Sequence, residues 1–335
     1  MQDPVFVIAE AGINHNGDLN TALAMVEVAA HAGADAVKFQ TFSVERLATA
    51  WAGLASYQGN PSRQVSTQHE LLRSLELSRT AHEELMAASA RHGIMFLSTA
   101  FDPESLLMLV DLGVPMLKIP SGEITNLPLL RLIGGLKRPT LLSTGMATLP
   151  EVAAALESLE RAGTPRELVT VLHCTSSYPT EMDDVNLRAM LTIRDSLGVR
   201  VGYSDHTLGS DVAIAATALG AVAIEKHFTL NRAMPGPDHA ASLEPNELSA
   251  MIRSIRNTTI ALGSALKSPT DQELETRLVA RKSLVTTAPI KARTLFTEAN
   301  VAAKRPGSGL SPMEWDNVVG SPALRDYDAD ELIDS

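Results

Sequence analysis

Short apolar runs rich in β-branched residues alternate with amphipathic stretches along most of the chain. The apolar runs predict eight strands, at Val5–Glu10, Ala36–Thr41, Ile94–Thr99, Met116–Ser121, Thr140–Gly145, Val169–Thr175, Arg200–His206 and Ala221–Phe228. The amphipathic stretches predict helices in the windows 20–32, 80–92, 103–112, 127–136, 148–161, 186–197, 211–219 and 245–262. Eight strand–helix units over about 260 residues are typical of a (β/α)8 TIM barrel. A doubly wound open sheet is the alternative, although no glycine-rich dinucleotide fingerprint follows the first strand.

The alternation stops after Gly263, so we assign residues 1–263 to the barrel. Residues 264–281 contain Lys267-Ser268-Pro269-Thr270 and a charged stretch, and we interpret them as a linker. Residues 282–335 carry short β-like pieces and predict a small β-rich domain. At about 54 residues this domain is small for a core of its own, so we expect it to lean on a partner surface.

Charge, apolar runs and cysteine content argue against several classes of protein and of binding partner. The chain of 335 residues has a formal net charge of −11 and no basic stripe, which argues against a nucleic-acid partner. The longest apolar run, Val212–Ile224, is too short to span a bilayer. No signal peptide is visible at the start, and Cys174 is the single cysteine, so no disulfide forms within the chain. These features predict a soluble cytoplasmic protein.

Two histidines close neighbouring apolar runs. His206 ends one predicted strand and His227 ends the next, and a helical stretch separates them. Active sites of parallel α/β proteins are built at the C-terminal strand ends, where two imidazoles can meet one divalent metal ion. Asp205 and Glu225 flank the pair. We therefore predict a metal site; the alternative is a hydrogen-bonded polar layer at the barrel mouth.

A second group of polar residues predicts an anion pocket on the same face. It consists of lysines, small hydroxyl residues and glycines that end other predicted strands: Lys38, Lys118, Ser121, Gly122, Ser143, Thr144 and Gly145. Such groups suit a phosphate or a carboxylate. In the alternative interpretation the lysines only balance Glu10, Glu123 and Asp205. A metal beside an anion pocket indicates a metal-dependent lyase or a C–C bond-forming enzyme with a phosphorylated or carboxylated substrate.

One connection is much longer than the others. It joins the second strand to the second predicted helix and contains Trp51, Tyr57, Gly59 and Asn60. Long excursions on the catalytic face are usually lids or substrate walls. The alternative is a surface subdomain without contact to substrate.

Several ordered motifs resemble the sialic acid synthase family. They are Ala9-Glu10-Ala11-Gly12-Ile13-Asn14-His15-Asn16-Gly17, Ala36-Val37-Lys38-Phe39-Gln40, Lys118-Ile119-Pro120-Ser121-Gly122-Glu123, Leu142-Ser143-Thr144-Gly145-Met146, Tyr203-Ser204-Asp205-His206-Thr207 and Glu225-Lys226-His227-Phe228-Thr229. The segment from Lys304 to Leu310 resembles the family's antifreeze-like (SAF) domain. The resemblance implies an N-acetylneuraminate synthase that condenses phosphoenolpyruvate (PEP) with N-acetylmannosamine, giving a nine-carbon 2-keto acid and phosphate.

The resemblance also implies roles for single residues. His206 and His227 would bind a divalent ion, Mn²⁺ first, with Mg²⁺ or Co²⁺ as alternatives. The implied catalytic residues are Glu10, Lys38, Lys118 and Glu123, and the implied substrate-binding residues are Gln40, Asn60, Thr99, Ser121, Ser143, Tyr178, Asp205 and Arg305. The family further implies a domain-swapped homodimer in which Arg305 reaches the partner's barrel. The chain has Ser176 where some members carry Asn, which puts sugar contacts there in doubt.

Other activities stay open at this point. A legionaminic acid synthase would use the same chemistry on 2,4-diacetamido-2,4,6-trideoxymannose, and a pseudaminic acid synthase or another metal-dependent aldolase is a more distant alternative. If the protein were a non-enzymatic ice- or ligand-binding protein, the two histidines at the strand ends would have no function. Three further histidines have open assignments: a place in the core or behind the site residues for His173, a turn or the site for His15, and contact with the substrate for His239.

Overall fold

A computed structural model describes residues 4–53 and 67–334 of the chain. Eight parallel strands form one sheet: β1 (Phe6–Gly12), β2 (Ala36–Thr41), β3 (Met95–Ala100), β4 (Leu117–Ile119), β5 (Thr140–Ser143), β6 (Val169–His173), β7 (Arg200–Asp205) and β8 (Ala223–His227). The order along the sheet is β3-β2-β1-β8-β7-β6-β5-β4. The end strands β3 and β4 also approach each other, which nearly closes the sheet. The predicted barrel is confirmed.

Helices follow the strands as the alternation predicts. They are α1 (Leu19–His31), α2 (Val44–Leu47), α3 (Gln68–Arg73), α4 (Arg79–His92), α5 (Pro103–Asp111), α6 (Leu127–Gly135), α7 (Leu149–Ala162), α8 (Arg188–Leu197), α9 (Asp211–Ala218) and α10 (Pro245–Leu262). Local sequence sets several of their starts. Asp102 accepts a hydrogen bond from the Ser105 amide at the start of α5, and Thr148 and Glu151 form a capping box at α7.

Strand β4 is shorter than the sequence predicts. The apolar pattern runs from Met116 to Ser121, but the strand ends at Ile119. Pro120 has no amide hydrogen for the ladder, and Ser121–Glu123 turn into a 3₁₀ helix. The hydroxyl of Ser121 therefore belongs to the loop above the barrel and not to its wall.

The barrel strands are buried on both faces, which explains their continuous apolar runs. The outer faces pack against the helices in one large hydrophobic core. The barrel interior has a smaller apolar layer, formed by Ile8, Ala36, Leu97, Leu141, Leu172 and Ala223. Two residues further along their strands, the inward positions become polar: Glu10, Lys38, Thr99, Ser143 and Glu225. A closed apolar base therefore supports a charged layer below the mouth.

The connection between β2 and α4 contains the short helices α2 and α3. Ile13, Phe42, Val44, Leu72 and Leu75 form a separate buried apolar cluster there, against which Leu47 and Phe101 also pack. Within this predicted lid, Tyr57, Gly59 and Asn60 lie outside the described residues, whereas Trp51 is described and exposed.

The chain divides into two compact units, Met1–Gly263 and Ser264–Ser335. The second unit contains α11 (Asp271–Ala280), the antiparallel strands β9 (Ser283–Thr286) and β10 (Val301–Lys304), and α12 (Trp315–Val318). Helix α11 lies in the stretch that we interpret as a linker. The capping box formed by Thr270 and Glu273 is the sequence signal for this helix.

The second unit has its own small apolar core. Leu284, Ile290, Phe296, Val301, Val318, Ala323, Tyr327 and Ile333 form it. In neither described part of the chain is a helix long and apolar enough to cross a membrane.

Candidate active site

A cavity of about 520 Å³ opens at the C-terminal ends of the barrel strands. The structure brings most of the predicted site residues together on its lining: Glu10, Lys38, Gln40, Thr99, Lys118, Ser121, Glu123, Ser143, Tyr178, His206 and His227. They come from all eight strands or from the loops that follow them. Residues up to 217 positions apart in sequence meet there because parallel strands share one carboxyl edge.

Two lysines and two glutamates form a buried network on the floor of the cavity. Lys38 Nζ lies 2.5 Å from Glu10 Oε2 and 3.6 Å from Glu225 Oε2. Lys118 Nζ lies 3.2 Å from Glu225 Oε1. The formal charges of these four side chains cancel. The floor can therefore be buried without a bound anion, and each lysine is already oriented for one.

Hydroxyl groups complete this network. Lys38 Nζ donates to Thr99 Oγ1 at 2.9 Å, and Lys118 Nζ donates to Ser143 Oγ at 2.7 Å. Ser204 Oγ donates to Glu225 Oε1 at 3.0 Å. Each hydroxyl keeps capacity for a further hydrogen bond. A phosphate or carboxylate placed above the lysines would therefore meet both ammonium and hydroxyl donors.

The network changes the pKa values of its members. Burial raises the pKa of Glu10 to about 7, although the Lys38 ammonium opposes this change. Burial also acts to raise the pKa of Glu225, but attraction to Lys118 and Lys38 outweighs it and holds that pKa well below its usual range. Burial lowers the pKa of Lys118, and Glu225 opposes the change. Glu225 is therefore the carboxylate that opposes the lowering of the Lys118 pKa by burial.

The two histidines and Tyr178 form an aromatic group beside this network. The ring centroids of His206 and His227 are 5.5 Å apart, and that of Tyr178 lies 4.1 Å from His206. His206 Nδ1 donates to the Thr175 carbonyl at 2.6 Å, which leaves Nε2 as an acceptor. His227 Nδ1 is buried and has no hydrogen-bond partner among the described residues.

These histidines fit a divalent metal ion. Burial lowers the pKa of His206 to about 4, and burial together with His206 lowers the pKa of His227 well below its usual value. Both imidazoles are thus neutral and able to ligate. Residues 4–53 and 67–334 contain no group of three or more His, Cys, Asp or Glu side chains arranged to hold a metal. A metal on this pair would keep its remaining positions for water or substrate oxygens.

Asp205 is placed apart from the other predicted site residues. Its carboxylate accepts from Lys226 Nζ at 2.9 Å and from the Thr207 amide at 2.9 Å, and it does not line the cavity. The cause is strand alternation: Ser204 and His206 face inward, so Asp205 between them faces the helices. Our expectation of a substrate contact for Asp205 therefore finds no support in this geometry.

Two other predicted residues are not in the described cavity. Asn60 lies outside the described residues. Arg305 belongs to the second unit, where its exposed side chain donates from Nε to the Ala280 carbonyl at 3.0 Å. This bond holds the stem of Arg305 against the end of α11.

The three histidines with open assignments have hydrogen-bond partners away from the floor of the cavity. His173 Nε2 pairs with the Val185 carbonyl at 3.0 Å, which fits a structural role. His15 Nδ1 accepts from the Gly17 amide at 3.0 Å, so His15 stabilises its turn. His239 Nδ1 pairs with Thr229 Oγ1 at 2.7 Å.

Ser204, Cys174 and Asp238 line the cavity without having been predicted as site residues. Glu225 and Ser176 line it too; the sequence placed Glu225 only beside the histidine pair and left the role of Ser176 in doubt. Glu225 stands two positions before His227, and Ser204 two before His206, so strand alternation places each on the inward face. That spacing was the available signal. Nothing in the local sequence marks Asp238, which the loop after β8 brings to 3.9 Å from His227 Nδ1.

A parallel eight-stranded barrel with a charged floor and a histidine pair at its mouth defines an enzyme of the TIM-barrel class. The NeuB family is matched over residues 25–267, and the SAF domain over residues 281–334. The chain belongs to the NeuB family of sugar acid synthases, and its resemblance to sialic acid synthases is confirmed.

Particular relatives are similar over nearly the whole chain. The N,N'-diacetyllegionaminic acid synthase of Campylobacter jejuni is 46% identical over 98% of both chains. The protein of the same name from Legionella pneumophila is 45% identical, covering 94% of this chain and 89% of its own. A crystal structure of N-acetylneuraminic acid (sialic acid) synthetase from Leptospira borgpetersenii, in complex with citrate, is similar at a TM-score of 0.72. It is 35% identical and covers 82% of this chain and 90% of its own.

Proposed function

We propose that this protein is an N,N'-diacetyllegionaminic acid synthase. It would condense PEP with 2,4-diacetamido-2,4,6-trideoxymannose and release phosphate. The observation that carries the proposal is the identity of 46% to a legionaminic acid synthase over 98% of both chains. The sialic acid synthetase structure is only 35% identical. Our first expectation, N-acetylmannosamine as the sugar, therefore becomes the second candidate.

The floor of the cavity suits PEP. PEP carries a phosphate and a carboxylate, and Lys38 and Lys118 are the two buried ammonium groups that line the cavity. Ser143 and Thr99, already hydrogen-bonded to these lysines, would donate to the same anion. Ser121 lies in the loop above, where its hydroxyl accepts from the Gly145 amide at 2.9 Å. We assign PEP to this floor because charge-assisted hydrogen bonds are the strongest contacts available to it.

The sugar aldehyde would lie beside the histidines. A divalent ion on His206 and His227, Mn²⁺ in our proposal, would polarise the aldehyde carbonyl. Tyr178 packs against His206 and fixes one side of this subsite. Gln40 and Glu10 line the cavity on the neighbouring strands β2 and β1, where they would contact the sugar. The two substrates would thus be held with their reacting carbons facing each other.

The proposed reaction forms one C–C bond and breaks one bond to phosphate. C3 of PEP attacks the aldehyde carbon, and the aldehyde oxygen takes up a proton. Water then adds at C2, and the resulting tetrahedral centre expels phosphate to leave a 2-keto acid. Glu123 lines the cavity and accepts a hydrogen bond from Asn126 Nδ2 at 2.6 Å, which fixes its carboxylate at the mouth. We assign Glu123 to proton transfer in these steps.

We further propose a homodimer in which the second unit serves the partner's barrel. Arg305 is exposed and its Nε donates to the Ala280 carbonyl, so its two terminal nitrogens, Nη1 and Nη2, could donate to a carbonyl or hydroxyl of the sugar. The small core of this unit is consistent with a module that works against another surface.

Phosphate release with different sugars tests the proposed function. We expect the purified protein with Mn²⁺ and PEP to release phosphate much faster with the diacetamido trideoxy sugar than with N-acetylmannosamine. Faster release with N-acetylmannosamine would instead identify a sialic acid synthase. Pyruvate serves as the control for PEP: turnover with pyruvate would indicate an aldolase and would reject both.

A further inference from the structure

One sector of the cavity lining is mainly apolar, in contrast to the charged floor and the histidine side, and Gln68 of α3 is its polar member. We call its five apolar side chains the apolar wall: Ile13, Phe42, Leu47, Leu72 and Phe101. They come from the loops that follow β1, β2 and β3, and from α2 and α3. The rings of Phe42 and Phe101 pack edge to face at 6.1 Å. The wall is therefore a packed surface and not a scatter of single exposed residues.

The wall has a packed support behind it. Ile13, Phe42 and Leu72 belong to the same buried cluster as Val44 and Leu75, which do not line the cavity. This cluster is separate from the barrel core. The cluster could fold with all its apolar side chains covered by protein. Three of them line the cavity instead, which indicates contact with a substrate group that forms no hydrogen bonds.

We propose that the apolar wall holds the C6 methyl group of the sugar and selects 6-deoxy sugars over their 6-hydroxy counterparts. The inference rests on the proposed function, in which the sugar is a trideoxymannose. The reacting end of that sugar lies at the histidines and PEP lies on the charged floor. The part of the cavity formed by the loops after β1, β2 and β3 is then left for the end of the sugar that carries C6. A methyl group gains from apolar burial, whereas a C6 hydroxyl would lose water against these five apolar side chains, none of which can replace its hydrogen bonds.

The size of the preference follows from the chemistry of the wall. Apolar pockets do not strongly reject an analogue that only adds a hydroxyl, so the expected preference in kcat/KM is about 10- to 100-fold. The test uses a matched pair of sugars, 2,4-diacetamido-2,4,6-trideoxymannose and its 6-hydroxy counterpart. Because both carry the 4-acetamido group, their ratio reports on C6 alone.

Two variants locate the preference in the wall. Leu72→Asn and Leu47→Asn should each lower the ratio of kcat/KM for the 6-deoxy over the 6-hydroxy sugar at least severalfold, with the KM for PEP little changed. Leu47 is only half-buried, so that variant retains the fold if Leu72→Asn does not. Leu75→Ala is the matched control: it removes a leucine from the same cluster behind the wall and should lower stability without altering the ratio.

The outcomes separate this inference from the proposed function. Equal kcat/KM for the two sugars, or a ratio that both wall variants leave intact, would overturn the apolar wall as the C6 subsite while the synthase activity stands. If N-acetylmannosamine is the better substrate, the proposed function fails. N-acetylmannosamine and its 6-deoxy analogue then form the matched pair, and the wall is tested by the same ratio.

Discussion

At the scale of single residues, the site depends on charges that are buried in pairs. Glu225 contacts both lysines of the floor, and each contact replaces the water that an ammonium group loses on burial. His206 and His227 differ from these charged groups, because burial lowers their pKa values and keeps the imidazoles neutral. In the proposed function, one layer of the barrel would thus present positive charges to PEP and uncharged nitrogen ligands to a metal.

The first prediction concerns Glu225. Glu225→Gln keeps the shape and removes the charge that supports Lys118, so the KM for PEP should rise at least about tenfold, the change that corresponds to 1.4 kcal/mol. The KM for the sugar should change little. Asp205→Asn is the control, since its carboxylate pairs with Lys226 on the outer face and should leave the KM for PEP near the wild-type value. Steady-state kinetics of both variants measure the KM for PEP. A larger rise in this KM for Asp205→Asn than for Glu225→Gln would mean that Asp205 contributes to PEP binding.

The second prediction concerns the metal. Exhaustive chelation should abolish phosphate release, and added Mn²⁺ should restore it, because neutral imidazoles of His206 and His227 are available as ligands. Either His206→Ala or His227→Ala should lower the bound metal measured by elemental analysis, with an unchanged circular dichroism spectrum. Full activity after the metal has been removed would exclude a role for the pair in metal catalysis.

The third prediction links His15 to stability at low pH. Burial lowers the pKa of His15 from 6.5 to about 4, so the unfolded chain binds this proton first as the pH falls. His15 therefore costs no stability above pH 6.5. Between pH 6.5 and 4 it lowers the free energy of unfolding by up to roughly 3 kcal/mol. Urea unfolding at pH 7.5 and pH 5 should show a smaller loss of stability for His15→Asn than for the wild type. Parallel losses would mean that His15 is not a source of acid sensitivity.

At the scale of elements, the site requires neighbouring strands to pack closely, so that their C-terminal ends meet at one barrel mouth. Gly202 in β7 allows this approach. A Cβ atom at this position would lie 2.4 Å from the Ala223 carbonyl oxygen and 2.6 Å from Leu172 Cδ2. The two neighbours belong to β8 and to the inner apolar layer, so neither can move without disturbing the barrel.

The fourth prediction tests this close approach. Gly202→Ala should lower the free energy of unfolding by about 1–3 kcal/mol, the usual cost of overpacking. Gly135→Ala is the matched control, because a Cβ there meets nothing within 4 Å, and it should be neutral or slightly stabilising. Denaturant unfolding of both variants measures the difference. Equal stabilities would show that β7 and β8 can separate without cost.

At the scale of the whole molecule, our proposal assigns the second unit of each chain to the barrel of its partner. The fifth prediction follows from the proposed swapped homodimer. Arg305→Ala and His227→Ala homodimers should each be nearly inactive, because each lacks one part of every site. In a mixed dimer, one of the two sites receives an intact barrel and an intact Arg305.

Subunit exchange between the two variants should therefore regenerate activity. With random pairing, about a quarter of all sites become complete in a two-fold dimer. Native mass spectrometry verifies the exchange, and phosphate release measures the recovery. If exchanged dimers stay inactive, then each unit serves its own barrel; if the Arg305→Ala homodimer is fully active before exchange, Arg305 has no part in the reaction.

Much of the fold was readable from the chain because it depends on local patterns. Eight apolar runs with helical windows between them predicted the barrel, and capping residues such as Asp102 set helix starts within a few positions. The shortened β4 and the helix α11 were two of the exceptions. In the first, a proline and a turn ended the ladder earlier than hydrophobicity indicated. In the second, the capping box outweighed a stretch that polarity alone assigned to a linker.

The sequence by itself determined which chemical groups stand at the strand ends, since alternation and motif order are properties of the chain. Only the tertiary structure decided which of them meet. Asp205 turned outward, Glu225 and Ser204 joined the floor, and apolar residues from three loops combined into one wall. The physical reason is that facing, pairing and burial depend on neighbours distant in sequence, and these become neighbours only when the barrel closes.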